Sequence, residues 1–318
     1  MASSILVSFI IAALIGPYVI KVVKKLGMGQ TERNVGAVVH LEKEGTPIMG
    51  GFIFIISTLL VSCIYYIFFK DKVDLLNLFL LSMSMISFSI IGFLDDYIKG
   101  KKERNLGLNE KQKLVLQFAF AFLLAFYQFK KSDSLMLPFI GGEISLGLFF
   151  TPFIMVVIVG TVNSANLLDG LDGLASSVSV FFFVFTAYVG YKQGLGEVVI
   201  FSLALIGGLL GFLLYNKYPA KIFMGDTGSM AIGGAIAGLC LLTESSLFIP
   251  IAGFIYLFEA LSVILQVWYY KKHKKRIFLM SPIHYHFQKK WDNEKKVVLF
   301  FVIIQIMTSI LGIIGYKG

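Results

Sequence analysis

The chain has 318 residues, 57% of them hydrophobic and 15% charged, with a mean hydropathy of +0.81. Counting Gly and leaving out Tyr, the apolar share is roughly 62%, against about 45 to 50% for soluble domains, so lipid must solvate much of the surface. That excludes a disordered, collagenous or disulfide-stapled secreted chain, and the net charge of +9 makes the placement of the bases informative.

A membrane span needs about 20 mostly apolar residues. Runs at 3–23, 47–69, 75–94, 113–129, 148–166, 174–190, 197–215, 228–243, 247–270 and 297–315 predict ten transmembrane helices. The expected architecture is an all-α polytopic membrane protein, one integral membrane domain over 1–318. The first run has no base before it, while Lys21, Lys24 and Lys25 follow it, so it reads as a retained span whose C-terminal end is cytoplasmic. Thr46-Pro47 is expected to cap and start the second span, Asn109 the fourth, and Asp226 or Thr227 the eighth. The ninth run, 247–270, reads as one long span beginning near Pro250. Between the fourth and fifth, Gly141-Gly142 and the flanking apolar residues predict a small outer β-hairpin near 135–148. Cys63 and Cys240 both lie inside apolar runs and read as packing residues.

With ten spans, 22 of the 28 Lys and Arg residues fall in four loops on one side and six on the other. The positive-inside rule makes the basic side cytoplasmic and puts both termini outside. Twelve of the 19 acids lie on or beside that same face, six lie outside, and Glu259 alone is deep within a span.

The acids of the basic side are grouped. Asp95-Asp96 ends the third run; two carboxylates about 5 Å apart repel by roughly 3 kcal/mol at an effective dielectric near 20, which a divalent cation or a retained proton would relieve. Asn163 and Asn166, three residues apart on one helix face, precede Asp169-Gly170-Leu171-Asp172-Gly173. A turn explains the second Asp-Gly but not two amides inside a span. Phe223-Met224-Gly225-Asp226-Thr227-Gly228-Ser229 would aim a helix N-terminus at the cytoplasmic face, a seat for phosphate. The run Lys271-Lys272-His273-Lys274-Lys275-Arg276 suits anionic lipid headgroups, and His284 and His286 fit phosphate or hydroxyl groups better than zinc. Acids for a divalent cation and bases for phosphates on one face are the equipment of phosphoryl transfer; no nucleic-acid partner is expected. An ion-coupled transporter would place ionisable residues at the bilayer midplane, where only Glu259 fits, and a structural hydrogen bond accounts for it equally well.

Gly45-Thr46-Pro47-Ile48-Met49-Gly50-Gly51, Asp95-Asp96-Tyr97, Asn166-Leu167-Leu168-Asp169-Gly170-Leu171-Asp172-Gly173, the Phe223–Ser229 stretch and Pro282-Ile283-His284-Tyr285-His286-Phe287 together resemble the phospho-N-acetylmuramoyl-pentapeptide transferase family. That family sits within the polyprenyl-phosphate sugar-1-phosphate transferases. The branch usually carries three consecutive histidines where this chain has His284-Tyr285-His286. The resemblance implies transfer of phospho-MurNAc-pentapeptide from UDP-MurNAc-pentapeptide to undecaprenyl phosphate, giving lipid I and UMP with Mg²⁺. The sister activity, GlcNAc-1-phosphate transfer from UDP-GlcNAc, is the alternative. It further implies ten spans in the bacterial plasma membrane, a cytoplasmic active site among membrane lipids, and a homodimer. Carried over, Asp226 would hold the Mg²⁺, and Asp95, with Asp96 beside it, would deprotonate or orient the lipid phosphate. Asn166 and Asp169 would contact nucleotide or diphosphate, Phe223 would stack on uracil, and Lys43 and Lys111 would counter substrate charge. Asn216, His284 and His286 complete the expected site, His284 among the catalytic groups.

Overall fold

The computed structural model describes residues 3–27, 45–101 and 107–317; Lys43 lies outside them. Among these residues the helices are α1 (Ser3–Lys25), α2 (Phe52–Phe69), α3 (Leu75–Lys101), α4 (Glu110–Lys131), α5 (Phe150–Leu168), α6 (Leu174–Gln193), α7 (Gly196–Asn216), α8 (Gly225–Leu242), α9 (Ile249–Ala252), α10 (Phe254–His273), α11 (Ile283–Trp291) and α12 (Glu294–Gly315). Nine are long and apolar enough to cross a membrane, and a tenth span results if the bent pair α9–α10 is one crossing. The hairpin is present: β1 (Ser134–Met136) pairs antiparallel with β2 (Glu143–Ser145), Leu135 opposite Ile144.

The bundle is built around α8, whose residues Thr227–Leu241 are all buried. Its glycines let neighbouring backbones approach as lipid-embedded helices require: Gly228 lies against Gly51, and a Cβ on Gly92 of α3 would collide with the backbone of Asp226 and Thr227. The most extensive packing is α3 on α8, α1 on α7, α6 on α7 and α5 on α8. By contrast α1, α4 and α12 turn most of their surface outward, where apolar side chains such as Leu14, Leu123 and Ile314 are exposed, as a lipid-facing surface demands. Cys240 is buried as expected, whereas Cys63 is exposed.

Four expectations about helix ends need correcting. The ninth run is not one straight span: 246–252 and 254–273 meet at Gly253 with an 82° bend. A bend inside lipid frees backbone groups, and here the Ala252 carbonyl accepts from the Gln305 amide of α12 at 2.7 Å. The second span starts at Phe52, not at Thr46-Pro47. Residues 47–51 instead clasp the loop before α8, with Phe223 N–H donating to the Pro47 carbonyl at 2.8 Å, Gly50 N–H to that of Phe223 at 2.8 Å and Gly51 N–H to that of Met224 at 3.0 Å. Helix α3 runs on to Lys101, so Asp95 and Asp96 sit inside it. Lys99 and Lys101 in its last turn complement the helix dipole. Finally, neither Asp226 nor Thr227 caps α8; both lie within its first turn. The cap of α4 is as expected: Asn109 accepts from Gln112 N–H at 2.8 Å while the Gln112 side chain returns the bond at 3.1 Å.

Candidate active site

Neighbours i and i+1 on a helix do not face each other, and this sends Asp95 and Asp96 to different partners. Asp96 reaches α8: its Oδ1 accepts from Asp226 N–H at 3.1 Å, and its Oδ2 from Thr227 N–H at 2.9 Å and the Thr227 hydroxyl at 2.7 Å. A carboxylate from α3 therefore occupies the positive end of α8, the place expected to receive phosphate. Asp226, relieved of capping, projects beside Asp95.

Two lysines close the space between those acids. Lys99, one turn after Asp95, pairs with Asp95 and donates to Asp226 Oδ2 at 3.0 Å. Lys113 of α4 lies 3.0 Å from Asp95 Oδ2 and 2.7 Å from Asp226 Oδ2. The remaining oxygens are also engaged. Asp95 Oδ1 accepts from Leu108 N–H at 2.8 Å, and Asp226 Oδ1 from the Asn166 amide at 2.9 Å, an amide that also reaches Ser229 Oγ at 2.9 Å. Oxygens of Asp95, Asp96 and Asp226 lie within 4.8 Å of one another. This all-carboxylate set suits a hard divalent cation such as Mg²⁺, and the two ammonium groups now hold positive charge where such an ion would sit.

A second polar group stands just past the C-terminal end of α5. His284 of α11 is fully buried, its Nδ1 3.0 Å from Glu259 Oε2 of α10. Gly170 packs so closely on the imidazole that a Cβ there would overlap Nε2, and the Tyr285 hydroxyl donates to the Gly170 carbonyl at 3.2 Å. The Asp169-Gly170 turn is thus bounded by α11 on one side and by Asn166 on the other.

A family model described as glycosyl transferase family 4 matches residues 78–244, the stretch that carries Asp95, Asp96, Lys99, Lys113, Asn166 and Asp226. The chain belongs to glycosyl transferase family 4. This family member is also 45% identical to the phospho-N-acetylmuramoyl-pentapeptide-transferase of Clostridium botulinum (strain Eklund 17B / Type B) over 314 residues, covering 98% of this chain and 95% of that protein. The protein of the same name from Clostridioides difficile (strain 630) is 45% identical over 318 residues, 98% and 96% of the two chains. That from Caldanaerobacter subterraneus subsp. tengcongensis is 44% identical over 303 residues, 95% and 94%.

In this glycosyl transferase family 4 chain the expected residues divide. Asp95, Asp96, Asn166 and Asp226 come together in the acid cluster. Asn163 does not join them, for it hydrogen-bonds Gln117 of α4 at 2.8 Å. His284 belongs to the second group, and Asp169, half-buried, is the residue that ends α5, its N–H donating to the Asn166 carbonyl at 3.3 Å. Asn216 is buried and brackets two loops, accepting from Gly173 N–H at 3.1 Å and donating to the Ile222 carbonyl at 3.0 Å. Asp172 does similar work at Ala220 N–H, 3.0 Å away. Phe223 is half-buried on the clasped loop, and His286 uses its Nδ1 on Leu279 N–H at 3.2 Å. Lys111 is exposed in the first turn of α4.

The charge in contact with the acids comes from Lys99 and Lys113, which sequence reasoning passed over as loop bases. The i,i+4 spacing of Asp95 and Lys99 was a usable signal once α3 is known to continue. Lys113 offered a weaker one, standing four residues past the Asn109 cap. Nothing local links Glu259 to His284, 25 residues away.

Proposed function

We propose that this chain transfers phospho-MurNAc-pentapeptide from UDP-MurNAc-pentapeptide to undecaprenyl phosphate, forming lipid I and UMP in peptidoglycan synthesis. The observation that carries the reading is the Asp95–Asp226 pair holding two lysines and an asparagine at the end of a span. There a soluble anionic donor and a lipid-borne phosphate can meet at headgroup depth. The curated relatives bearing that activity in their names support it.

In the proposed reaction a phosphate oxygen of the lipid attacks the β-phosphorus of the donor. The bond between that phosphorus and the bridging oxygen breaks, and UMP leaves with the bridging oxygen. Asp226 and Asp95 would hold Mg²⁺, which when bound neutralises charge on the diphosphate. Asp95 also orients the attacking phosphate. Asp96 holds the start of α8, and with it Asp226, in register. Lys99 and Lys113 would offer their ammonium groups to phosphate oxygens, and Asn166 keeps Asp226 aimed. Asp169 and His284 border the donor, Phe223 offers a ring for the uracil, and Lys43, Lys111, Asn216 and His286 complete the surrounding shell. The excess of bases on one side supports a cytoplasmic active site in the plasma membrane with both termini outside. The single domain is proposed to work as a homodimer.

Purified protein supplied with Mg²⁺, undecaprenyl phosphate and either UDP-MurNAc-pentapeptide or UDP-GlcNAc tests this directly. Lipid-linked product is expected from the muramoyl donor; product from UDP-GlcNAc alone would move the chain to the sister activity. Inversion at a chirally labelled β-phosphorus is expected, and net retention would replace direct displacement with a phospho-aspartate path.

A further inference from the structure

Glu259 is the one acid that the sequence leaves deep in a span, and the acid cluster does not use it. Both Glu259 and His284 are fully buried, yet each keeps one polar atom, Glu259 Oε1 and His284 Nε2, without a hydrogen-bond partner among the described residues. An unpaired atom costs more on a buried carboxylate or imidazole than on a hydroxyl or amide. Here one contact is made, and the far end of the imidazole packs against Gly170 without a hydrogen bond. That glycine lies one turn past Asn166, the residue that holds Asp226.

Helix α10 also fixes where α11 stands. Seven residues after Glu259, and so on the same face, Gln266 Oε1 accepts from Ile277 N–H and Phe278 N–H, each at 3.0 Å. The loop into α11 is therefore tied to α10, and Glu259 reaches the first turn of α11 from the same helix. Where Glu259 accepts at this contact, the imidazole carries its hydrogen on Nδ1, which defines what Nε2 presents. An acid behind a histidine fixes ring orientation and tautomer in this way.

We propose that Glu259 is a positioning residue: by holding Nδ1 of His284 it aims Nε2 at the Asp169-Gly170 turn, where the anionic donor is bound. The proposal rests on the transferase reading above. Glu259→Gln keeps size and one acceptor oxygen but allows either tautomer, so kcat is expected to fall about tenfold while KM for UDP-MurNAc-pentapeptide stays within about threefold. Glu259→Leu, which removes the contact, is expected to lower kcat about a hundredfold. The decisive measurement is a double-mutant cycle. In a His284→Ala background Glu259→Leu should change kcat by less than about twofold, because a residue acting through another has nothing left to position. Equal fold-losses with and without His284, or wild-type kcat in Glu259→Leu, would overturn the proposal. Should Glu259→Leu unfold in a thermal scan, the kcat and KM of Glu259→Gln decide, and unchanged kcat there counts against it. Failure of the wild type to make lipid-linked product sinks the transferase reading, and this proposal with it. Product from the wild type with undiminished turnover in Glu259→Gln sinks this proposal alone.

Discussion

Two buried carboxylate networks stand at opposite ends of α3, and they are built differently. At its start Glu197 of α7 accepts from the Asn77 amide at 2.9 Å and from Asp74 N–H at 3.2 Å, while Lys131 bonds the Asn77 carbonyl at 3.0 Å. One acid meets two neutral donors, and both its oxygens are used. At the other end three acids crowd within 4.8 Å, Asp95 and Asp226 held by two lysines and Asp96 by the first turn of α8. A lone acid with neutral partners ties helices together. Stacked like charges cost folding energy and persist where chemistry needs them.

The largest test of that contrast is Asp226→Asn or Asp95→Asn. Turnover should fall by about a thousandfold or more in either, since the charge facing cation and phosphate is gone. Thermal stability should fall, because either substitution takes a partner from both Lys99 and Lys113; wild-type rates in either variant would refute the assignment. Next comes Lys113→Met, expected to lower kcat/KM for the nucleotide-linked donor by about a hundredfold, with no loss of membrane expression. A loss confined to stability would make Lys113 a structural counter-ion only.

At the other network Glu197→Gln should leave turnover within about twofold and cost about 1 kcal/mol of stability, because an amide cannot accept from both donors. A thousandfold loss of turnover there would erase the distinction between the two ends. The smallest effect belongs to His286, whose imidazole burial, reinforced by Lys290, holds below its ordinary value. The unfolded chain then binds a proton that the folded chain refuses, so this contribution to stability is present at neutral pH and is lost as pH falls through the ordinary histidine range. Unfolding followed from about pH 7.5 to about pH 5.5 should show a small destabilisation that His286→Gln reduces; an unchanged slope would remove His286 as its source.

Much of the site was legible because hydrophobic runs isolate the few polar residues they contain. Asp95, Asp96, Asn166 and Asp226 stood out this way, as did the cap at Asn109. What failed were inferences requiring a helix to stop where its hydropathy stops. Helix α3 passes through Asp95-Asp96 because Lys99 neutralises one acid and α8 receives the other. For the same reason Lys99 and Lys113 looked like loop bases. The bend at Gly253 was hidden because the glycine sits in an unbroken apolar run, and the group that satisfies the exposed Ala252 carbonyl, Gln305, comes from another helix.

By itself the sequence determined that lipid is the solvent, how many runs can span it, the side on which the bases collect, and which acids stand near that side. These follow from composition and local order, where the energy of each residue depends on its near neighbours in the chain. Only the tertiary structure decided that Asp96 caps α8 across 130 positions while Asp95 faces two lysines, and that Glu259 holds His284. Those partners are chosen by how helices pack. Buried donors and acceptors must be paired wherever that packing brings them together, and no local pattern in the chain specifies it.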